Sequence, residues 1–237
     1  MSKFTSSAAS AGKSFIIIPF TLACLLSIVG CGAKGASAQA GRTAAAAVPS
    51  SAAASAGTSA EAEHYPARTA AELPPLVVPK WPDKIPGYTE VDPATGLHMT
   101  GQPVHIDVTT WRLKIGGAVR KPASLSYDDI RMLAGIRQRV TIVCEGYFED
   151  TAVWNGASIE ALMALVEPKP GAKSLDIQGA DGYSSEIDLA TARASGFLAY
   201  GLGDGPVPVL HGFPLRAIFP TQQGAKDVKW ITGITVQ

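Results

Sequence analysis

Three cysteines divide by position: Cys24 lies inside an N-terminal apolar run, Cys31 at its end, and Cys144 deep in the second half. Cys144 follows Arg139-Val140-Thr141-Ile142-Val143, a β-branched run that reads as a buried strand delivering a thiol at its exit. A lone thiol there has two uses. It can pack as a small, inert hydrophobe, or, once deprotonated, act as a soft ligand or nucleophile. Position alone leaves both open. The other chemical candidates are weaker. His98 and His105 stand seven apart in a loop and lack a third ligand, which makes a poor zinc site. Gly201-x-Gly203-x-Gly205 lacks the strand-turn-helix setting that aims amides at phosphate, and Asp204-Gly205 reads as a hairpin turn. Neither a G-x-S-x-G elbow nor a C-x-x-C-H haem site occurs in the chain.

Charge narrows the function classes further. The 237 residues carry 20 Lys and Arg against 20 Asp and Glu, a formal net charge of zero. Such a chain has no broad electrostatic attraction for nucleic acid, so DNA and RNA partners are not expected. Most aromatic residues, all four Trp included, lie beyond position 76. The sequence therefore predicts one folded domain, 76–237, large enough for its own core.

The N-terminus reads as an address. Lys3 and Lys13 precede an apolar run from Phe15 to Gly30, and no acidic residue occurs before Glu61. That pattern describes a secretory signal, 1–30, whose apolar run of sixteen residues is short for a membrane span, which needs roughly 20. Ile28-Val29-Gly30-Cys31 resembles a bacterial lipobox, in which cleavage before Cys leaves a thiol to be acylated. Lipidation at Cys31 would place the protein outside the cytoplasm, in the periplasm or on the cell surface, held to a membrane by acyl chains. Residues 31–75 are rich in Ala, Ser, Gly and Thr, interrupted by Pro49, Pro66, Pro74 and Pro75, and read as a flexible linker. Leu76 to Pro93 reads as a Pro-rich arm lying along the domain.

The elements that must position Cys144 are short. Trp111, Leu113 and Ile115 alternate with Arg112 and Lys114, a half-buried strand ended by Gly116-Gly117. Ser126 and Ser158 are candidate caps for two short helices, the second running from Ile159 to Val166. Glu145 to Asp150 reads as a loop. Strands are expected at 175–177, 185–187, 197–202, 207–210, 215–219 and 228–236, with a third helix from Asp188 to Ala194. Many short strands, three short helices and no βαβ rhythm give an α+β fold, strand-rich and single-domain.

Three segments together resemble the molybdopterin-binding domain of the sulfite oxidase family, which includes periplasmic methionine sulfoxide reductase-like molybdoenzymes. They are Val140 to Gly146 with Val153 to Ile159, then Gly179 to Tyr183 with Phe197 to Tyr200. The last is His211-Gly212-Phe213-Pro214-Leu215-Arg216 with Gly224-Ala225-Lys226-Asp227-Val228-Lys229-Trp230. The resemblance covers roughly residues 105–237. It implies a molybdenum-molybdopterin cofactor, with Cys144 as the metal ligand. Arg216 and Lys229 fall where the family binds the cofactor's phosphate and pterin. Asp181, His211 and the backbone amides of Asp227 and Val228 match further cofactor contacts. Glu145 and Tyr147, next to Cys144 in sequence, are expected to line the open coordination face.

The resemblance also implies oxygen-atom transfer to or from a small substrate, and an external electron partner such as a membrane or soluble cytochrome. Departures bear on the substrate. Where sulfite-oxidising members carry Arg after the metal Cys, this chain has Glu145-Gly146-Tyr147-Phe148. The family's Arg-Asn-His motif is not recognisable around Leu97 to Gly101. The sequence ends at Gln237, so the dimerisation domain of those oxidases is not expected and a monomer is. The competing reading is a cofactor-free binding or assembly lipoprotein on the same fold.

Overall fold

A computed structural model describes residues 61–237; the expected signal peptide, the lipidation at Cys31 and most of the expected linker lie outside the described residues. The chain enters as β1 (Glu63–Tyr65) and runs irregularly through the Pro-rich arm to β2 (Leu113–Gly117) and β3 (Ala123–Leu125). Helix α1 (Tyr127–Met132) leads to the long hairpin β4 (Gly135–Cys144) and β5 (Phe148–Ser158), then α2 (Ile159–Val166). The hairpin β6 (Ser174–Gly179) and β7 (Ser184–Asp188), α3 (Leu189–Ser195), β8 (Phe197–Leu202), β9 (Gly205–Pro206), β10 (Arg216–Ile218) and β11 (Ile231–Val236) complete it.

Two sheets result. One runs β1-β4-β5-β8-β10, with β9 beside β8, and the other runs β3-β2-β11-β6-β7. All pairs are antiparallel except β11 with β2. The expected strand-rich α+β fold is what forms. Leu113 and Ile115 are buried while Lys114 is exposed, as the alternation requires. Ser126 closes a capping box with Asp129, and the Ser158 hydroxyl accepts from the Ala161 amide. Along β8, Phe197 and Ala199 face one apolar cluster while Leu198 and Tyr200 face the other. A strand buried on both faces needs that composition.

Four boundaries differ from the sequence expectation, each for a local reason. Residues 63–75, expected within the linker, are part of the fold. β1 pairs with β4, and the Tyr65 hydroxyl donates to the Gly156 carbonyl at 3.1 Å and meets the Tyr200 hydroxyl at 2.5 Å. Phe148 to Asp150 are strand rather than loop, because Cys144 pairs directly with Phe148 and leaves only Glu145-Gly146-Tyr147 for the turn. Val207 to Leu210 is not a strand. Pro206 and Pro208 cannot both feed a ladder, and a 3-10 turn forms at Val209–His211. The last strand starts at Ile231, since Trp230 takes a left-handed φ of 50° that breaks the ladder before it.

Gly156 sits where β5 and β8 slip register. A Cβ there would stand 2.1 Å from the Leu198 carbonyl oxygen and 2.6 Å from the Ala199 Cα, both backbone. Gly156→Ala is expected to lower the unfolding free energy by about 1–3 kcal/mol. Gly116→Ala, with nothing within 4 Å of its Cβ, is the matched control and changes little. Urea denaturation of the two variants measures both.

Candidate functional site

The thiol that the sequence isolated stands at a sharp structural event. β4 ends on Cys144, the chain turns through Glu145-Gly146-Tyr147, and β5 begins opposite. The turn closes with the Tyr147 amide donating to the Cys144 carbonyl at 2.9 Å, and Gly146 supplies the positive φ of 79°. Gly224, from the loop before β11, packs onto the thiol so closely that a Cβ would lie 2.9 Å from Sγ. Cys144 opens into a cleft of about 700 Å³ to which the turn, the strap 88–102, the β6–β7 turn and the 223–230 loop all contribute.

Two cations form the floor of this cleft. Arg216, the first residue of β10, is only 7% exposed, and Lys229 is 6% exposed. Neither has a carboxylate within ion-pair distance among the described residues. The Arg216 guanidinium carbon lies 5.0 Å from the Trp154 ring centre, and its buried Nε has no hydrogen-bond partner. Lys229 Nζ donates to the Thr100 carbonyl at 2.8 Å and lies 5.5 Å from the Trp230 ring centre. Buried charges are normally paired, so this arrangement is incomplete without an anion.

The pKa shifts follow from the same placement. Burial pushes the Lys229 ammonium well below its ordinary range, and the Arg216 charge adds to the push. Burial also lowers the Arg216 guanidinium, opposed by Asp227, Asp150 and Cys144. The Cys144 thiol is raised by burial and by Asp150 and Asp227, against the pull of Arg216 and Lys229. A raised thiol is a poor free nucleophile, which argues against cysteine-type covalent catalysis. It remains a good ligand, because a soft cation displaces the proton outright. One soft ligand over a cationic floor is suited to a metal complex with an anionic tail.

Several expected site residues meet here. Cys144, Glu145, Tyr147, Asp181, Arg216, Asp227 and Lys229 all line the one cleft. Two do not. Val228 is fully buried behind it, and its amide donates to the Lys226 carbonyl at 3.0 Å, while the Asp227 amide donates to Gly224 at 3.0 Å. Both amides, expected to meet the cofactor, are thus engaged within their own turn in this structure. His211 is fully enclosed too and lines no part of the cleft. Its Nε2 meets Asp92 Oδ2 and Thr95 Oγ1, each at 2.9 Å, while its buried Nδ1 has no partner. Burial, with Lys229 and Arg216 nearby, holds its pKa down at about 4, so the ring is neutral. In this geometry His211 anchors the strap that carries Asp92.

Other lining groups escaped the sequence reading. Tyr88 and Gln102 come from the arm and strap. His98 is no partner of His105, which stacks on Trp81 instead. Its Nδ1 meets Asp150 Oδ1 at 2.7 Å, and its ring stacks on Phe148 with centres 4.3 Å apart. These pairings span about fifty residues and leave no local signal.

Asp227 offers a direct check on the buried electrostatics. Burial raises its pKa to about 7, opposed by Arg216 and by the Phe219 amide, which donates to its Oδ1 at 2.8 Å. The unfolded chain releases this proton near pH 4 and the folded one near 7, so the group removes stability as pH rises through that window. In cofactor-free protein, Asp227→Asn is expected to gain on the wild type by about 1.4 kcal/mol per pH unit of it. Urea denaturation at pH 4, 6 and 8 measures the difference, in which the opposite contribution of His211 cancels.

The comparisons with known proteins agree with this geometry. The oxidoreductase molybdopterin-binding domain family matches residues 99–237, more than half of the chain. The chain is 29% identical over 140 residues to the uncharacterized oxidoreductase YuiH of Bacillus subtilis, covering 58% of this chain and 71% of that protein. It is 30% identical over 164 residues to the mitochondrial sulfite oxidase of Macaca fascicularis, covering 56% of this chain and 30% of the oxidase. With the NADPH nitrate reductase of Fusarium oxysporum the identity is 27% over 158 residues, 55% of this chain but 18% of the reductase. The sulfane dehydrogenase SoxCD of Paracoccus pantotrophus shares the fold, with a TM-score of 0.54 at 20% identity over 56% of this chain and 40% of that one. Thiol, cationic floor and matched sequence coincide in one cleft, and the chain belongs to the oxidoreductase molybdopterin-binding domain family.

Proposed function

We propose that this oxidoreductase exchanges an oxygen atom with a small substrate at the Cys144 face of the cleft, while an external haem partner supplies or removes electrons. The observation that carries the reading is the pair of buried, unpaired cations beside the only thiol of the described residues. Molybdenum-molybdopterin, when bound, supplies two-electron oxygen-atom chemistry. Cys144 would be the protein's ligand to the metal. Arg216, with a planar multi-donor fork, suits the cofactor's phosphate, and Lys229 adds a point charge beside it. Asp181 holds the β6–β7 turn at the cleft wall, its Oδ1 accepting from the Tyr183 amide at 3.1 Å. Glu145 and Tyr147 stand exposed where a substrate would enter. The competing cofactor-free lipoprotein has no specific observation in its favour, whereas the match to the oxidoreductase molybdopterin-binding domain family favours the cofactor.

The deciding experiment is metal and pterin analysis of the full chain expressed in a molybdenum-replete bacterial host. Wild type is expected to carry both near one per chain. Arg216→Ala is expected to lose most of each, and Cys144→Ala to lose turnover even where pterin is retained. A well-folded wild type empty of both would overturn the reading.

We further propose that the mature protein works outside the cytoplasm, anchored through acyl chains on Cys31. The support is the basic, apolar and lipobox-like N-terminal sequence. Labelled palmitate is expected to enter the wild type and to be absent from Cys31→Ser, with the variant moving from the membrane to the soluble fraction.

A further inference from the structure

The cleft is electrically two-sided. Its lining holds four acidic side chains, Glu145, Asp150, Asp181 and Asp227, against two basic ones of the Arg and Lys type, Arg216 and Lys229. Both cations are buried in the floor. His98, the one further basic group of the lining, is paired with Asp150. At the mouth the side chains are of another kind. Tyr88 is 72% exposed, Tyr147 78% and Tyr183 47%, three phenol rings around one opening. Glu145 is exposed beside Tyr147, and Asp181 lies within reach of Tyr183. Tyr88 and Tyr183 line the same opening, so the arm and the β6–β7 turn meet there. Lys226, on the 223–230 loop, does not line the cleft and donates to the Glu186 carbonyl at 2.7 Å.

From this we infer that the mouth recognises a positively charged substrate: a small molecule bearing an ammonium group near the sulfur or nitrogen that gains or loses oxygen. The inference rests on the oxidoreductase reading and adds the substrate's charge. Once the anionic cofactor neutralises the floor, what remains in front of a substrate is π-faces and carboxylate. Aromatic faces attract cations through their quadrupole, and a flanking acid deepens the same potential. An oxyanion such as sulfite or nitrate meets only repulsion there, because no exposed Arg or Lys lines the cleft. Tyr183 is held in place for this role, its hydroxyl donating to the Ala225 carbonyl at 2.7 Å. Glu145 and Tyr147 ride on the Cys144 turn itself, so a cation they hold has its neighbouring atoms beside the thiol.

Binding and turnover test this separately. Tetramethylammonium is the binding probe, followed by saturation-transfer NMR on the full-length chain with and without cofactor. Wild type is expected to bind it in both forms. Tyr88→Leu with Tyr147→Leu, and independently Glu145→Lys, are expected to weaken it about threefold to thirtyfold. Turnover uses three S-oxides of one shape, bearing a trimethylammonium, an uncharged tert-butyl or a carboxylate group. Each reduction takes two electrons from two reduced viologens and two protons, releasing thioether and water. The matching thioethers, with ferricyanide accepting the electrons, test the reverse direction. The cationic member is expected to show the highest kcat/KM, and Glu145→Lys to reverse the order. Tetramethylammonium binding without turnover of any compound would count against the oxidoreductase reading alone. Absence of tetramethylammonium binding, or preference for the carboxylate member, would overturn the cation inference and leave the oxidoreductase reading standing.

Discussion

Two basic side chains buried with no carboxylate in ion-pair contact among the described residues are what the rest of the site depends on. Leaving one charge of a buried pair alone costs about 3–5 kcal/mol, and this fold holds Arg216 and Lys229 in that condition side by side. Each depresses the proton affinity of Lys229 or His211 around it, and both pull on the Cys144 thiol. An anionic ligand would relieve that cost, and one that binds only the folded chain would add to its stability. The same burial explains the neutral His211. With two cations nearby and no solvent, a third charge is excluded, and the ring serves as a neutral clamp on Asp92 and Thr95.

The architecture exists to hold those groups against their own repulsion. β10 pairs with β8, which fixes Arg216 opposite Ala199, and Trp154 on β5 lies beneath the guanidinium. Lys229 comes from the loop before β11, tied down by the Thr100 carbonyl of the strap. Cys144 ends a ten-residue strand paired over its whole length with β5. The three stretches also touch: the Ala217 amide donates to the Val228 carbonyl at 2.8 Å, and Gly224 packs on the Cys144 thiol. Ladders, these contacts and the cores beneath them together hold the cations against their repulsion.

Much of this was legible in the sequence, for reasons that can be named. The caps Ser126 and Ser158, the alternation around Leu113 and Ile115, and the buried strand ending on Cys144 are local signals set by propensity and period. The site residues that came through family resemblance lie in segments whose order and spacing are themselves local. What escaped depends on long-range pairing. Tyr65 looks like linker, but it is fixed by Gly156 and Tyr200, roughly ninety and more residues away. Asp150 looks like loop until His98 satisfies it inside the sheet. Nor does a motif say whether an amide is bonded within its own turn, as those of Asp227 and Val228 are.

The division between floor and mouth has a further consequence for how the site separates two tasks. In the proposed reading cofactor affinity rests on Arg216 and Lys229, which are enclosed, the first on β10 and the second in the loop before β11. Substrate preference rests on Tyr88, Tyr147, Tyr183 and Glu145, which are exposed and carried by the arm, the hairpin turns and their flanks. Substitutions at the mouth can change without disturbing the buried charges, because loop surfaces tolerate exchange and cores do not. The relatives differ in the substrates their names record, nitrate for one and sulfite for another, while sharing the matched domain with this chain. In this chain the rim is aromatic and acidic, so its selectivity is set by charge at the entrance and not by the groups that hold the cofactor.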